Sequence, residues 1–157
     1  MPVAKAPPSF QEPRTPMPQR FAMPLQVQIF DTDCYGVMWH GAYAKWLEMA
    51  RCQMMDALGV AMAMPGEGYV YPVAEQRLRY RRPAKLNDRL EIRTEAAVQG
   101  PRIVFTQTVA HAGSDAAVVE AETVCVVTGA DFKPLRRVPA ELAEKLARVP
   151  TETVAGI

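Results

Sequence analysis

Two aspartates and a histidine, Asp31, Asp33 and His40, fall within ten residues of one another. A carboxylate placed there can act as a general base toward water or attack a carbonyl carbon itself. Immediately afterwards the chain changes character. From Gly41, the residues Tyr43, Trp46, Leu47, Ala50, Met54, Ala57 and Leu58 recur at three- and four-residue spacing, with Lys45, Glu48, Gln53 and Asp56 outside that set. This periodicity predicts an amphipathic helix, closed by Gly59. The polar cluster therefore sits where the unpaired N–H groups and the positive end of a helix dipole converge. Backbone donors in that setting stabilise an oxyanion, at about 3 kcal/mol per donor. A base and oxyanion donors together are what attack on an activated carbonyl needs.

Each of these residues also has a plainer use. Asp31 and Asp33 both suit an Asx-turn or a loop cap. His40 serves equally as an acid–base group, as a hydrogen-bond donor or as a residue that orders the loop. Gly36, with Val37 beside it, allows a turn conformation that other residues resist. Glu48 and Arg51 are three residues apart and can pair along the helix. Cys34 adjoins Asp33, but a cysteine–histidine enzyme needs a base brought up in space. Two histidines, His40 and His111, and no Cys-x-x-Cys spacing predict no metal site and no cofactor.

The elements around the cluster can be read from alternation and punctuation. Residues 1–20 are rich in proline and show no period, which predicts an extended or disordered leader. Residues 25–29 alternate apolar with polar, as a strand does. After the helix, Met64-Pro-Gly-Glu-Gly68 reads as a loop. Four strand candidates follow at 69–82, 89–98, 102–111 and 116–128, separated by Pro83 with Asn87-Asp88, by Gly100-Pro101 and by Ala112-Gly-Ser-Asp115. They read as a meander, the last of them a central or interface strand because Val124 to Val127 are apolar on both faces. A turn at Asp131-Phe-Lys-Pro134 leads to Pro139 and a short amphipathic helix with Leu142 and Leu146 inward. Residues 21–150 thus form one domain, followed by a flexible tail at 151–157. The fold class is α+β, with about five antiparallel strands wrapped around one long central helix. Such a unit exposes a strand edge and a sheet face, so a homo-oligomer is expected.

The run Asp31-Thr-Asp33-x-x-Gly36-Val37-x-x-His40-x-x-Tyr43, followed by Trp46-Leu-Glu-x-Ala-Arg51, resembles the hot-dog-fold acyl-CoA thioesterases of the 4-hydroxybenzoyl-CoA thioesterase and Tol-Pal-associated type. Tyr80-Arg-Arg-Pro-Ala-Lys-Leu-Asn-Asp88 resembles a second motif of that family, and the likeness runs over residues 25–139. The resemblance implies a hot-dog fold, homodimers or homotetramers with sites at the dimer interface, and hydrolysis of an acyl-CoA. It implies Asp33 as the catalytic carboxylate, seven residues before His40, with Asp31 left to the loop. It implies an oxyanion hole of backbone N–H groups near His40, where some members carry tyrosine. Gly36, Val37, Trp39 and Tyr43 fall on substrate-binding positions, and Arg102, Arg136 and Arg137 on places where members recruit cations for the phosphates of coenzyme A. Cys34 stands where members usually have alanine or proline. Met54, Met55, Met62 and Met64 can line an apolar pocket, and Tyr35 or Trp39 can stack on an aromatic acyl group. The alternative is a non-catalytic hot-dog module that binds acyl-CoA or scaffolds a partner.

Composition agrees with a small enzyme and excludes other classes. A chain of 157 residues, 49% of them apolar, suits one globular core. A net charge of +1 and the lack of a basic run with interleaved aromatics argue against nucleic acid as a partner. No apolar run approaches membrane-spanning length, and three scattered cysteines suit a reducing compartment. A cytoplasmic location is expected.

Overall fold

The computed structural model describes residues 20–60 and 68–148. The leader (apart from Arg20), most of the 64–68 loop, Met62, Met64 and the 151–157 tail lie outside them. Five antiparallel strands form one sheet: β1 (Phe21–Gln26), β3 (Val73–Tyr80), β4 (Arg89–Gln99), β5 (Arg102–His111) and β6 (Ala117–Val126), in the order β1-β4-β5-β6-β3. Two short strands, β2 (Tyr69–Val70) and β7 (Thr128–Gly129), pair separately. The helix α1 (His40–Ala57) lies against the inner face, and α2 (Ala140–Leu146) follows the last strand. This is the expected α+β arrangement, a sheet around a long helix.

Periodicity placed most of the core, although Ala57, in the apolar set, is exposed and Met55, outside it, is buried. Leu90, Ile92 and Thr94 of β4 are buried on one face, and Tyr43, Leu47, Ala50 and Met54 of α1 meet them from above. Each such apolar side chain, fully withdrawn from water, contributes roughly 1.5–3 kcal/mol. The helix stops where expected: Gly59 takes φ +67 while Gly59 and Val60 return their N–H groups to Asp56 and Met55.

Three details differ from the sequence reading. The first strand runs over 21–26 rather than 25–29, because Phe21, Met23 and Leu25 point inward and Ile29–Asp31 wind into a single 3-10 turn. Pro24 is tolerated there because β1 is an edge strand. The 69–82 candidate is broken at Pro72 into β2 and β3. Finally, the four strands are not a simple meander: β4, β5 and β6 are, but β3 crosses to the far edge and pairs with β6. Hence β6 is interior, as its apolar character suggests, and β3 becomes a mostly exposed edge.

Under α1 lies a buried polar cluster that helical period does not predict. Arg51 is only 4% exposed; its Nη1 donates to Gln107 Oε1 and Thr123 Oγ1, both at 3.2 Å, and its Nη2 pairs with Glu48. Gln107 donates in turn to the Leu47 carbonyl at 3.0 Å and to Thr94 Oγ1 at 3.1 Å. The bonds from Arg51 to Gln107 and Thr123, and from Gln107 to the Leu47 carbonyl, tie the helix to β5 and β6, so the cluster fixes where along the sheet α1 rests. Gln107→Leu keeps the volume but leaves an arginine N–H and the Leu47 carbonyl short of a partner. The variant is expected to lose about 1–3 kcal/mol in urea denaturation.

Candidate functional site

The loop between the first strand and α1 is held at both ends by one carboxylate. Asp31 has no exposed surface. Its Oδ1 accepts from Lys45 Nζ at 2.9 Å and Trp46 Nε1 at 3.0 Å, and its Oδ2 accepts from the Gln28 N–H at 3.0 Å. Its backbone carbonyl accepts the Trp39 N–H at 2.9 Å, which closes the loop onto itself. Asp31 is therefore a structural anchor, as assigned from sequence.

Asp33 shapes the turn inside that frame. Its N–H donates to the Val37 carbonyl, its carbonyl accepts the Gly36 N–H, and Gly36 adopts φ +74. Its Oδ1 accepts the N–H groups of Tyr35 at 2.9 Å and Val37 at 3.4 Å. This is the Asx-turn use of an aspartate. The turn occupies Oδ1 alone, and Oδ2 has no hydrogen-bond partner among the described residues. The loop also rests on the second motif: Met38 N–H reaches the Ala84 carbonyl at 2.7 Å, and Val37 bridges to Lys85.

The helix then begins at His40 without a side-chain cap. Trp39 N–H is taken by Asp31 and Ala42 N–H by the Trp39 carbonyl, but the N–H groups of His40 and Gly41 find no acceptor among the described residues. Two donors with the helix dipole behind them are thus available to an anion. His40 is exposed, and its ring stands edge-on to Trp39 at 5.3 Å. The Trp39 indole lies across Gly41 so closely that a Cβ there would overlap the ring. Sequence reading passed over Gly41; the only hint was a glycine two residues after a tryptophan at a helix start.

One turn further, Tyr43 is buried and meets Tyr80 at 5.7 Å. Burial pushes the Tyr43 phenol up to about 12, so it stays protonated. With Met38, Arg81, Arg82 and Pro83 these two tyrosines line an open cleft of about 340 Å³ beside the start of the helix. Sequence reading places Tyr80, Arg81 and Arg82 in the second motif, and the two arginines among the clustered basic residues, but not in a cleft. Their role in the cleft appears once β3 is carried to the sheet edge. Arg81 is engaged with Glu120, and Arg82 holds the Ala117 carbonyl.

The basic trio falls elsewhere. Arg102 opens β5, at the opposite end of that strand from His111, which touches Asp88 at 3.0 Å beside the site loop. Ten residues of strand separate the two ends, roughly 30 Å. Arg136 and Arg137 join Arg102, because Val138 N–H reaches the Gly100 carbonyl and Val127 N–H the Pro101 carbonyl. One chain therefore brings Asp33, Gly36, Val37, Trp39, His40 and Tyr43 together but not the three arginines.

Cys34 is exposed, with no hydrogen bond to His40 among the described residues, and burial raises the thiol pKa of Cys52 and Cys125. No group of three His, Cys, Asp or Glu side chains among the described residues is disposed to hold a metal. No described helix is long and apolar enough to cross a membrane.

Two outcomes check this geometry. Gly41→Ala should displace the indole, while a helix gains roughly 1 kcal/mol from the exchange. Tryptophan emission should therefore shift from that of wild type, with the fold retained by circular dichroism. Asp88 supplies the second. The Lys85 N–H, and then the His111 ring, hold its carboxyl below the ordinary value. A depressed folded-state pKa gives stability that is fully present above the unfolded value near ~3.9 and is lost as pH falls through the folded value. Asp88→Asn should be less stable than wild type at neutral pH in urea, and the difference should shrink below about pH 4.

A family model of the "Thioesterase-like superfamily" matches residues 27–155. The acyl-CoA thioester hydrolase YbgC of Escherichia coli is 32% identical over 128 residues, covering 80% of this chain and 92% of the relative. The fold matches that of Slr0204, a 1,4-dihydroxy-2-naphthoyl-CoA thioesterase from Synechocystis, with TM-score 0.74 at 17% identity over 82% of this chain and 96% of the other. A DHNA-CoA thioesterase from Staphylococcus aureus gives TM-score 0.67 at 24% identity over 74% and 80% of the two chains. The sheet wrapped around α1 is thus the hot-dog fold, and the chain belongs to the thioesterase-like superfamily.

Proposed function

We propose that the protein hydrolyses an acyl-CoA thioester to the free acid and coenzyme A. The observation that carries this reading is the uncapped start of α1, where the His40 and Gly41 N–H groups lack acceptors, preceded by a turn that leaves Asp33 Oδ2 without a partner among the described residues. In this reading the thioester oxygen takes the N–H groups at the helix start, and Asp33 either activates water or forms a transient acyl anhydride. The essential part of His40 is its backbone, with the imidazole in support. Gly36 and Val37 shape the turn, Tyr43 lines the acyl cleft, and Trp39 packs over the donors. Arg102, Arg136 and Arg137 bind the phosphates.

The roughly 30 Å of β5 between its Arg102 end and its end near the loop has a consequence. We propose a homo-oligomer, dimer or tetramer, in which the arginines of one copy serve the loop of another. The exposed β3 edge supports this, since a free strand edge of that length invites pairing. Three free cysteines support a reducing, cytoplasmic setting.

The test is thiol release from a panel of aliphatic and aromatic acyl-CoAs. Asp33→Ala should lose at least about a hundredfold in kcat, the scale of general-base catalysis. His40→Ala, which keeps its N–H, should lose less. An unimpaired Asp33→Ala, or a wild type that releases no thiol, would leave the non-catalytic acyl-CoA-binding module as the better reading, with Asp33 serving only its Asx-turn.

A further inference from the structure

After β7 the chain turns back on itself in a small hairpin. Thr128 bridges to Pro134, the Gly129 N–H reaches the Lys133 carbonyl at 3.0 Å, and the Phe132 N–H reaches the Gly129 carbonyl at 3.0 Å. Asp131 braces the tip, accepting the Lys133 N–H and pairing with its ammonium at 3.1 Å. In this well-tied turn Phe132 sits at φ 60 with 68% of its surface exposed. A left-handed backbone is unfavourable for a bulky residue, and an exposed ring gains nothing from burial. Glycine or asparagine would suit the turn better. Folding does not account for a phenylalanine there.

Two neighbours suggest what does. Tyr69, 41% exposed, is the register partner of Gly129 across β2 and β7, so two exposed aromatics are tied to one glycine. At the base of the hairpin, Leu135 returns its N–H to Val127 and Val138 to Gly100, which sets Arg136 and Arg137 beside the start of β5 at Arg102. No carboxylate lies within ion-pair distance of these three arginines among the described residues. From the Gly129–Lys133 pair to the Val127–Leu135 pair is two residues of strand, roughly 7 Å, within the reach of one nucleotide.

We infer that Phe132 is the stacking platform for the adenine base of the coenzyme A portion of the substrate, whose phosphates go to Arg102, Arg136 and Arg137. The inference rests on the acyl-CoA reading and adds to it the residues that recognise the base. A purine offers a flat π face, which an aromatic side chain accepts without regard to sequence or acyl group.

Calorimetric titration of the full chain with free coenzyme A tests this without requiring turnover. Phe132→Gly removes the ring and relieves the backbone, so the hairpin is kept; Phe132→Ala removes the ring alone. Both should weaken coenzyme A binding about tenfold, the scale of one stacked base. The ratio of kcat/KM for an acyl-CoA to that for the matching S-acylpantetheine should fall by the same factor. Unchanged affinity in Phe132→Gly, or a wild type that binds coenzyme A no better than pantetheine, overturns the inference. So does loss of binding to anionic lipid vesicles with coenzyme A affinity intact, which would make the tip a membrane contact. Hydrolysis of S-acylpantetheine by wild type reports separately on the thioesterase reading. If that fails while the variants still lose coenzyme A, the platform stands and the catalytic assignment falls.

Discussion

A carboxylate with no surface in water must be fully paired, and the site loop is built on that requirement. Asp31 gathers a lysine, an indole N–H and a backbone N–H onto its two oxygens, while its carbonyl takes the N–H of Trp39. The first two donors come from the second turn of α1, and the last lies at the residue before the helix. Both ends of an exposed loop are therefore referred to one buried point. Asp33 and Gly36, the two residues that shape the turn, hang between these fixed ends. Mobility of the Asp33 carboxylate relative to the helix start is limited by the same clasp.

The helix is located in its turn by a second buried polar cluster. A helix with an apolar stripe can slide or rotate over a greasy sheet at little cost. The fork of Arg51 onto Gln107 and Thr123, and the bond from Gln107 back to the Leu47 carbonyl, admit only one register. Loop and helix start are thus positioned by polar contacts, while apolar burial supplies the stability. The arrangement separates what holds the fold together from what sets its geometry.

The two candidate regions lie at opposite ends of the strands. The loop, the helix start and the Tyr43–Tyr80 cleft share one end, and the arginines with the Phe132 hairpin share the other. In the proposed mechanism a thioester and its nucleotide must bridge them, and a single copy spans too far. The exposed edge of β3 gives a physical reason for a second copy.

Much of this was legible in the sequence. Period 3.6 after Gly41 and period 2 in β4 follow from which residues must face a core, and that constraint is local, so α1, its stop at Gly59, and the strands at 89–98 (observed to 99) and 102–111 could be placed from spacing alone. The polar loop before a hydrophobic helix was legible for the same reason. What tertiary structure alone decided was pairing across distance: β3 crossing to join β6, Arg51 turning inward beneath its own helix, the Trp39 ring lying over Gly41, and the arginines at the far end from Asp33. None of these leaves a periodic trace. Sequence spacing records which side of an element is buried, but partners many residues apart are chosen by the packing of the whole sheet, where hydrogen-bond satisfaction and volume are settled together.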